Sequence, residues 1–404
     1  MYVARRASDC IKNVSETFPV LLLTGPRQVG KTTLLGNLSK SNRKLVTLDN
    51  ISARTIAKED PELFLQRYSP PVLIDEIQYA PELFPYIKIL ADKRKKCGDF
   101  WLTGSQMFKT MKNVSESLAG RVGIVPIQGL ANSEVSGHLS NEFTLEPNAL
   151  EKRYESATPM DINFVFNRIF KGSMPRLYQV EDINENIYFD SYIDTYISRD
   201  IHDLKQVADL SSFYKFIKIV AARTATNVNY ETLANETGIS APTAKQWLSI
   251  LISSGLVLLV EPFHNNALKR VVKAPRMYFL DTGLCAHLMG WSSAEVLENS
   301  AMSGAFFETW AVGEIYKSYL NVGKQAPMYF YRDNNKKEID LILQQDGVIQ
   351  PIEIKKSASP NNPTRNFSVL SKLGSMVGTG GVICMASELL PLDRNNWQIP
   401  AWII

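Results

Sequence analysis

The chain has 404 residues, 45% hydrophobic and 21% charged, with a formal net charge of +3. That is enough chain for two or three packed domains, and it excludes a polycation, so any nucleic-acid surface must be a local patch. Cys10, Cys97, Cys285 and Cys384 lie far apart, as do His138, His202, His264 and His287. A zinc site of the usual spacing is therefore not expected, and a reduced, cytoplasmic setting fits.

Met1–Cys10 is basic but has no apolar core after it, so no signal peptide is expected. No apolar run approaches the roughly 20 residues that cross a bilayer, so no membrane partner is expected. Val20–Leu23, Leu45–Leu48, Val72–Ile74 and Phe100–Thr103 read as strands separated by amphipathic stretches. This alternation predicts an α/β domain with a parallel sheet and crossover helices.

The first strand runs into Gly25-Pro26-Arg27-Gln28-Val29-Gly30-Lys31-Thr32-Thr33, and Leu34–Leu38 reads as the start of a helix. The run completes G-x-x-x-x-G-K-[ST] in its required strand–turn–helix context, and so predicts a P-loop nucleotide site. Backbone N–H groups of the turn would face phosphate oxygens, and Gly25 and Gly30 would permit the necessary backbone angles. Lys31 would reach the β- and γ-phosphates, and the Thr32 hydroxyl would serve Mg²⁺.

Val72-Leu73-Ile74-Asp75-Glu76 is an apolar strand ending in two carboxylates. Asp75 would hold Mg²⁺ through water, and Glu76 would orient and polarise the attacking water. At the end of the next strand, Ser105 is the candidate γ-phosphate sensor, with Thr103 as the alternative. Arg121 could stabilise transition-state charge in a neighbouring subunit, or be an ordinary surface arginine.

From about residue 160 the texture changes. Asp161–Lys171, Asn184–Leu204 and Ser212–Arg223 read as helices. Glu231–Ala234, a turn at Gly238-Ile239-Ser240, a helix over Thr243–Ser253 and a strand over Gly255–Val260 follow a helix-turn-helix plan with a wing, Ser240 being the N-cap. Lys245, Lys269, Arg270, Lys273 and Arg276 could contact DNA phosphates, although one lysine on the second helix is a weak signature for a major-groove reader. The last part opens with a helix over Phe306–Leu320. Strands at Met328–Tyr331, Ile339–Leu343, Val348–Ile354 and Gly381–Met385 follow, with an exposed loop at Ser357–Arg365.

Gly25–Thr33, Leu73–Gln78, Leu102–Ser105 and Gly120-Arg121 resemble a prokaryotic group of AAA-type ATPases. Members carry a C-terminal domain of unknown function with a winged helix and a restriction-endonuclease-like fold. The likeness continues through Gly172–Pro175, Tyr196–Ile201 and Phe279–Leu284 to the end of the chain. It implies ATP as the nucleotide and a homo-oligomer. Ser173 and Arg176 depart from the group's pattern, which has Gly-Gly and an acidic residue there.

Within this frame Glu308, Asp340, Glu353 and Lys355 resemble the PD-(D/E)xK nuclease core. Asp340 at a strand end and Glu353 on the next strand would hold a divalent metal, Glu308 would complete the shell, and Lys355 would activate water. A solvated strand face also produces E-x-K readily. The expected organisation is an AAA-type P-loop domain over 1–158, a helical lid region over 159–226, a winged-helix module over 227–300 and a restriction-endonuclease-like domain over 301–404. Two uses of ATP stay open: action on DNA through the C-terminal region, or a nucleotide-dependent switch or scaffold with an inactive nuclease-like domain that binds a protein partner.

Overall fold

The computed structural model describes residues 2–39, 41–104, 117–195, 207, 209–264, 274–333, 335, 337–373 and 376–404. Ser105, Tyr196–Ile201, Lys269, Arg270 and Lys273 lie outside the described residues.

Five strands form the first sheet: β1 (Val20–Thr24), β2 (Lys44–Thr47), β3 (Val72–Asp75), β4 (Phe100–Gly104) and β5 (Val122–Pro126). All pairs are parallel and the order is β2-β3-β4-β1-β5. β1, β3 and β4 are buried along their whole length. This explains their uninterrupted apolar runs, since a parallel sheet covered on both faces has no polar side. β5 was not anticipated, and its alternating burial makes it a weaker strand signal. Helix Ala7–Thr17 packs on the β1–β5 side, where the Trp101 indole donates to Ser15 Oγ at 2.8 Å.

Polar caps start many of the described helices. Asn50, Asp60, Asp161, Asp209, Asn229, Ser240 and Asp281 each accept a backbone N–H from the first turn that follows. Each such bond satisfies one of the donors a helix leaves orphaned, typically for ~1 kcal/mol. Ser240 therefore caps Ala241–Ser253 as expected. Asn184–Leu204 is seen as helix over Glu185–Thr195.

The second sheet takes in β6 (Thr226–Asn227), β7 (Val257–Pro262), β8 (Arg276–Phe279), β9 (Met328–Arg332), β10 (Glu338–Gln345), β11 (Val348–Lys355), β13 (Gly380–Cys384), β14 (Leu390–Pro391) and β15 (Asn396–Pro400), with β12 (Met376–Val377) on β11. Glu261 and Pro262 of β7 pair in parallel with Tyr329 and Phe330 of β9. The β6–β8–β7 hairpin region and the C-terminal strands thus share one sheet, across the boundary expected at residue 300. Asp340 lies near the start of β10 rather than at a strand end. Helix Ser303–Leu320 is buried nearly all round and packs on β8 and β11. Its apolar residues lack a polar face because protein surrounds it on every side. Among the described residues no helix is long and apolar enough to cross a membrane.

Candidate functional site

The turn after β1 is built for close approach. Gly25 has φ +149°, and a Cβ there would stand 2.2 Å from the Ile127 carbonyl oxygen. Gly30 sits in the left-handed region at φ 85°, immediately before helix Lys31–Leu38. Gln28 and Glu76 hold positive φ of 61° and 58° without being glycine. Such backbone costs on the order of 1–3 kcal/mol per residue and persists only where the surroundings impose it.

Arg27, Gln28, Val29, Gly30, Lys31, Thr32, Thr33 and Glu76 line one cavity of about 460 Å³. That size lies within the usual range for small-molecule sites. Lys31 Nζ donates to the carbonyls of Gly25 (2.9 Å) and Pro26 (2.7 Å) and so bridges the mouth of the loop. Thr32 Oγ1 donates to Asp75 Oδ1 at 2.6 Å. Thr103 Oγ1 donates to the same oxygen at 2.5 Å and accepts from Glu76 N at 3.2 Å. Thr103 therefore sits at the end of β4 against both acidic residues. Gln78 Nε2 donates to Glu76 Oε2. Arg121 does not line the cavity, and its guanidinium pairs with Asp92 at 2.5 and 3.0 Å on the surface.

The cavity has walls that the motif does not reveal. Tyr2, Val3 and Arg5 come from the N-terminus, and Pro175, Arg176 and Gln179 from the segment that departs from the group's pattern. Arg5 is buried and donates to the carbonyls of Val29 (2.9 Å) and Gln128 (2.7 Å) while pairing with Glu134 at 3.3 Å. It pins the P-loop to the strand exit of β5. Arg5 carries no sequence signal beyond its charge, because its carbonyl acceptors lie more than twenty residues away.

Ser173 N and Oγ both donate to Asp281 Oδ2, at 2.9 and 2.7 Å. A Cβ on Gly172 would meet Asp281 Oδ1 at 2.5 Å, and one on Gly283 would meet the Lys171 carbonyl oxygen at 2.6 Å. Gly172–Pro175 and Phe279–Leu284, over a hundred residues apart, thus interlock, and Pro175 of the first segment lines the P-loop cavity.

An AAA domain family matches residues 17–136. A domain of unknown function, DUF8612, matches residues 164–295, and another, DUF4143, matches residues 303–404. Two uncharacterized proteins, Rv2008c of Mycobacterium tuberculosis and Mb2031c of Mycobacterium bovis, are each 28% identical over 406 residues, 99% of this chain and 84% of theirs. The Walker-type ATPase PABY2304 of Pyrococcus abyssi is similar over 70% of this chain and 94% of that one, at 14% identity and a TM-score of 0.43. A DNA replication initiation factor is similar over 62% of this chain and 91% of its own, at 12% identity and a TM-score of 0.26.

Beyond the AAA domain, Glu308, Asp340, Glu353 and Lys355 do converge, but around side-chain cations. Arg276 Nη1 lies 3.1 Å from Glu308 Oε1 and 3.9 Å from Asp340 Oδ1, and its Nη2 pairs with Glu338. Lys355 Nζ lies 2.7 Å from Glu353 Oε1 and 3.1 Å from Asp340 Oδ2. Tyr278 donates to Glu308 Oε1 at 2.8 Å, and the Ile354 amide donates to Asp340 Oδ2 at 2.9 Å.

Among the described residues no three acidic, histidine or cysteine side chains are arranged to hold a metal ion. Oxygens of Glu308 and Asp340 are turned to Arg276, Lys355, Tyr278 and a backbone amide, and Glu353 Oε1 faces Lys355. Arg276 is likewise not an exposed phosphate contact, being 4% exposed.

Burial and the neighbouring Asp340 push the Glu308 carboxyl up to about 7, and the same two causes push Glu353 to about 7. Burial works against the charge on Arg276, but Tyr278, Glu308 and Asp340 outweigh it and hold the guanidinium above its ordinary value. Lys355 is raised in the same way, burial being outweighed by Asp340 and Glu353.

Proposed function

We propose that the AAA domain binds ATP with Mg²⁺ and hydrolyses it. The observation that carries this is the contact of Thr32 with Asp75 at the mouth of a P-loop cavity that Glu76 also lines. Thr32 and Asp75 would hold Mg²⁺, which supplies charge neutralisation at the phosphates. Their direct hydrogen bond fits this role, because it places a hydroxyl and a carboxylate at one point. Lys31 exchanges its carbonyl partners for phosphate oxygens. Glu76 accepts a proton from, or orients, the attacking water, and Gln78 fixes one of its oxygens. Thr103, which touches Asp75 and the Glu76 amide, takes the sensing position expected of Ser105 or Thr103. Arg121, at the surface, acts only if a second copy presents its site to it.

The test is steady-state ATPase activity and nucleotide binding in Glu76→Gln. Turnover should fall about 100-fold or more with ATP still bound. Unchanged turnover would remove the hydrolysis reading.

For the use of the ATP cycle, the carboxylate cluster favours a nucleotide-dependent switch over DNA cleavage. Helices Tyr230–Thr237 and Ala241–Ser253 with β7 and β8 support a winged-helix reading. β9–β11 with helix Ser303–Leu320 support a nuclease-like scaffold without the cleaving metal. The interlock of Ser173 with Asp281 joins the nucleotide cavity to this half. Incubation of wild type and Asp340→Ala with supercoiled DNA, Mg²⁺ and ATP should give no nicking in either. Nicking lost in the variant would restore the DNA reading.

A further inference from the structure

Four carboxylates and two cations meet at one place, with Glu338 and Lys355 at its partly exposed rim: Glu308, Glu338, Asp340 and Glu353 with Arg276 and Lys355. The two cations come from different parts of the chain. Lys355 stands two residues after Glu353 on β11, as the strand alternation requires. Arg276 opens β8, in the hairpin region rather than the C-terminal strands, and enters the cluster because β7 joins β8 to β9 in one sheet. Its guanidinium lies 4.9 Å from the centroid of the Phe330 ring, which blocks one approach.

A guanidinium is planar, permanently charged and able to serve several carboxylate oxygens at once, and it is more weakly hydrated than an ammonium. Those properties suit a position where oxygens of three acidic residues face one buried side chain. Glu308, Glu338 and Asp340 all lie within 4 Å of this one side chain.

We propose that Arg276 is the resident cation of this cluster and bars a divalent metal ion from it. A metal would have to displace the guanidinium, because the oxygens it needs are already turned to Arg276 Nη1 and Nη2. The domain over 303–404 is then an ion-locked module, fastened to the hairpin region by Arg276. Glu353 supports the same conclusion from the other side. It is 7% exposed, and its Oε2 has no hydrogen-bond partner among the described residues. That oxygen is already open, so the oxygens a metal still needs are those of Glu308 and Asp340 that Arg276 occupies.

The experiment uses the full chain, free of nucleotide and carrying Asp75→Asn to silence the ATP site. Mn²⁺ binding is read from the loss of the free-ion electron paramagnetic resonance signal. With Arg276 intact, no Mn²⁺ site that depends on Asp340 is expected. Arg276→Gln should gain one Mn²⁺ per chain, lost again on adding Asp340→Asn, and Mn²⁺ should then raise its melting temperature. A Mn²⁺ site removed by Asp340→Asn while Arg276 is present overturns the proposal, and that measurement needs no Arg276 variant to fold. Folded Arg276→Gln that gains no metal also overturns it. Arg276→Lys, which keeps the charge but loses the fork, serves as a second variant and should bind Mn²⁺ more weakly than Arg276→Gln.

Discussion

The nucleotide cavity and the carboxylate cluster are both polar sites foreshadowed by short motifs, yet they are built in opposite ways. The cavity is bounded by side chains drawn aside: Lys31 onto two carbonyls, Thr32 onto Asp75, which Thr103 also holds. The cluster is filled by its own counter-charges. A site that must take a ligand keeps its polar groups on partners that can be exchanged. A site that serves architecture pairs most of them with its own counter-charges, since a buried charge without a partner is costly.

The largest contrast should appear with ligand. Mg²⁺-ATP at about 100 times its dissociation constant should stabilise the wild type by about 2.7 kcal/mol and leave Lys31→Ala almost unmoved, as read by thermal melts. Excess Mg²⁺ alone should do nothing comparable through the C-terminal cluster. If Lys31→Ala is stabilised as strongly as wild type, the cavity is not the nucleotide site.

On the cluster side, Asp340→Ala removes a partner of both Arg276 and Lys355. A loss of about 1.5 kcal/mol in denaturant unfolding is expected, because charge-assisted hydrogen bonds to Asp340 are lost while Arg276 and Lys355 keep their other partners. A loss below about 0.5 kcal/mol would place the pair among ordinary surface contacts.

The cluster should also give the protein a pH signature. Glu308 and Glu353 are raised to about 7 from an ordinary 4.5, so the folded chain holds their protons more tightly than the unfolded one. The stability they confer is complete below about pH 4.5 and is lost as the pH rises through about 7. Melting temperature should therefore decline between about pH 5 and about pH 8, and Glu353→Gln should flatten the decline. An unchanged slope in that variant would assign the decline to other groups.

The smallest effect expected is at the link between the two regions. Ser173→Ala removes one of the two hydrogen bonds to Asp281 and should cost about 1 kcal/mol. If the interlock carries the nucleotide state, the same variant should weaken ATP binding, although Ser173 does not line the cavity. A stability loss with unchanged ATP affinity would make the contact purely structural.

The N-terminal sheet was legible because each strand is a buried apolar run and the glycine-rich turn has a fixed spacing. β5 escaped notice because only alternate residues are buried. The P-loop, Asp75 and Glu76 fall where their motif places them. Arg5, Tyr2, Arg176 and Gln179 escaped because their place in the cavity depends on segments far apart in the chain. Arg276 was read as an exposed phosphate contact because a basic residue near a hairpin gives no sign of what faces it.

By itself, the sequence determined the strand–turn–helix of the P-loop, the acidic pair after β3 and the Ser240 cap. These rest on local spacing and on period, which a chain carries wherever it goes. Only the tertiary structure decided that Thr103 bridges Asp75 and Glu76, that Ser173 locks onto Asp281, and that Arg276 fills the carboxylate cluster. The reason is physical. A charge is defined by its type, but its role is fixed by the partner that shares its burial, and the pairing of β7 with β9 brings that partner from another part of the chain.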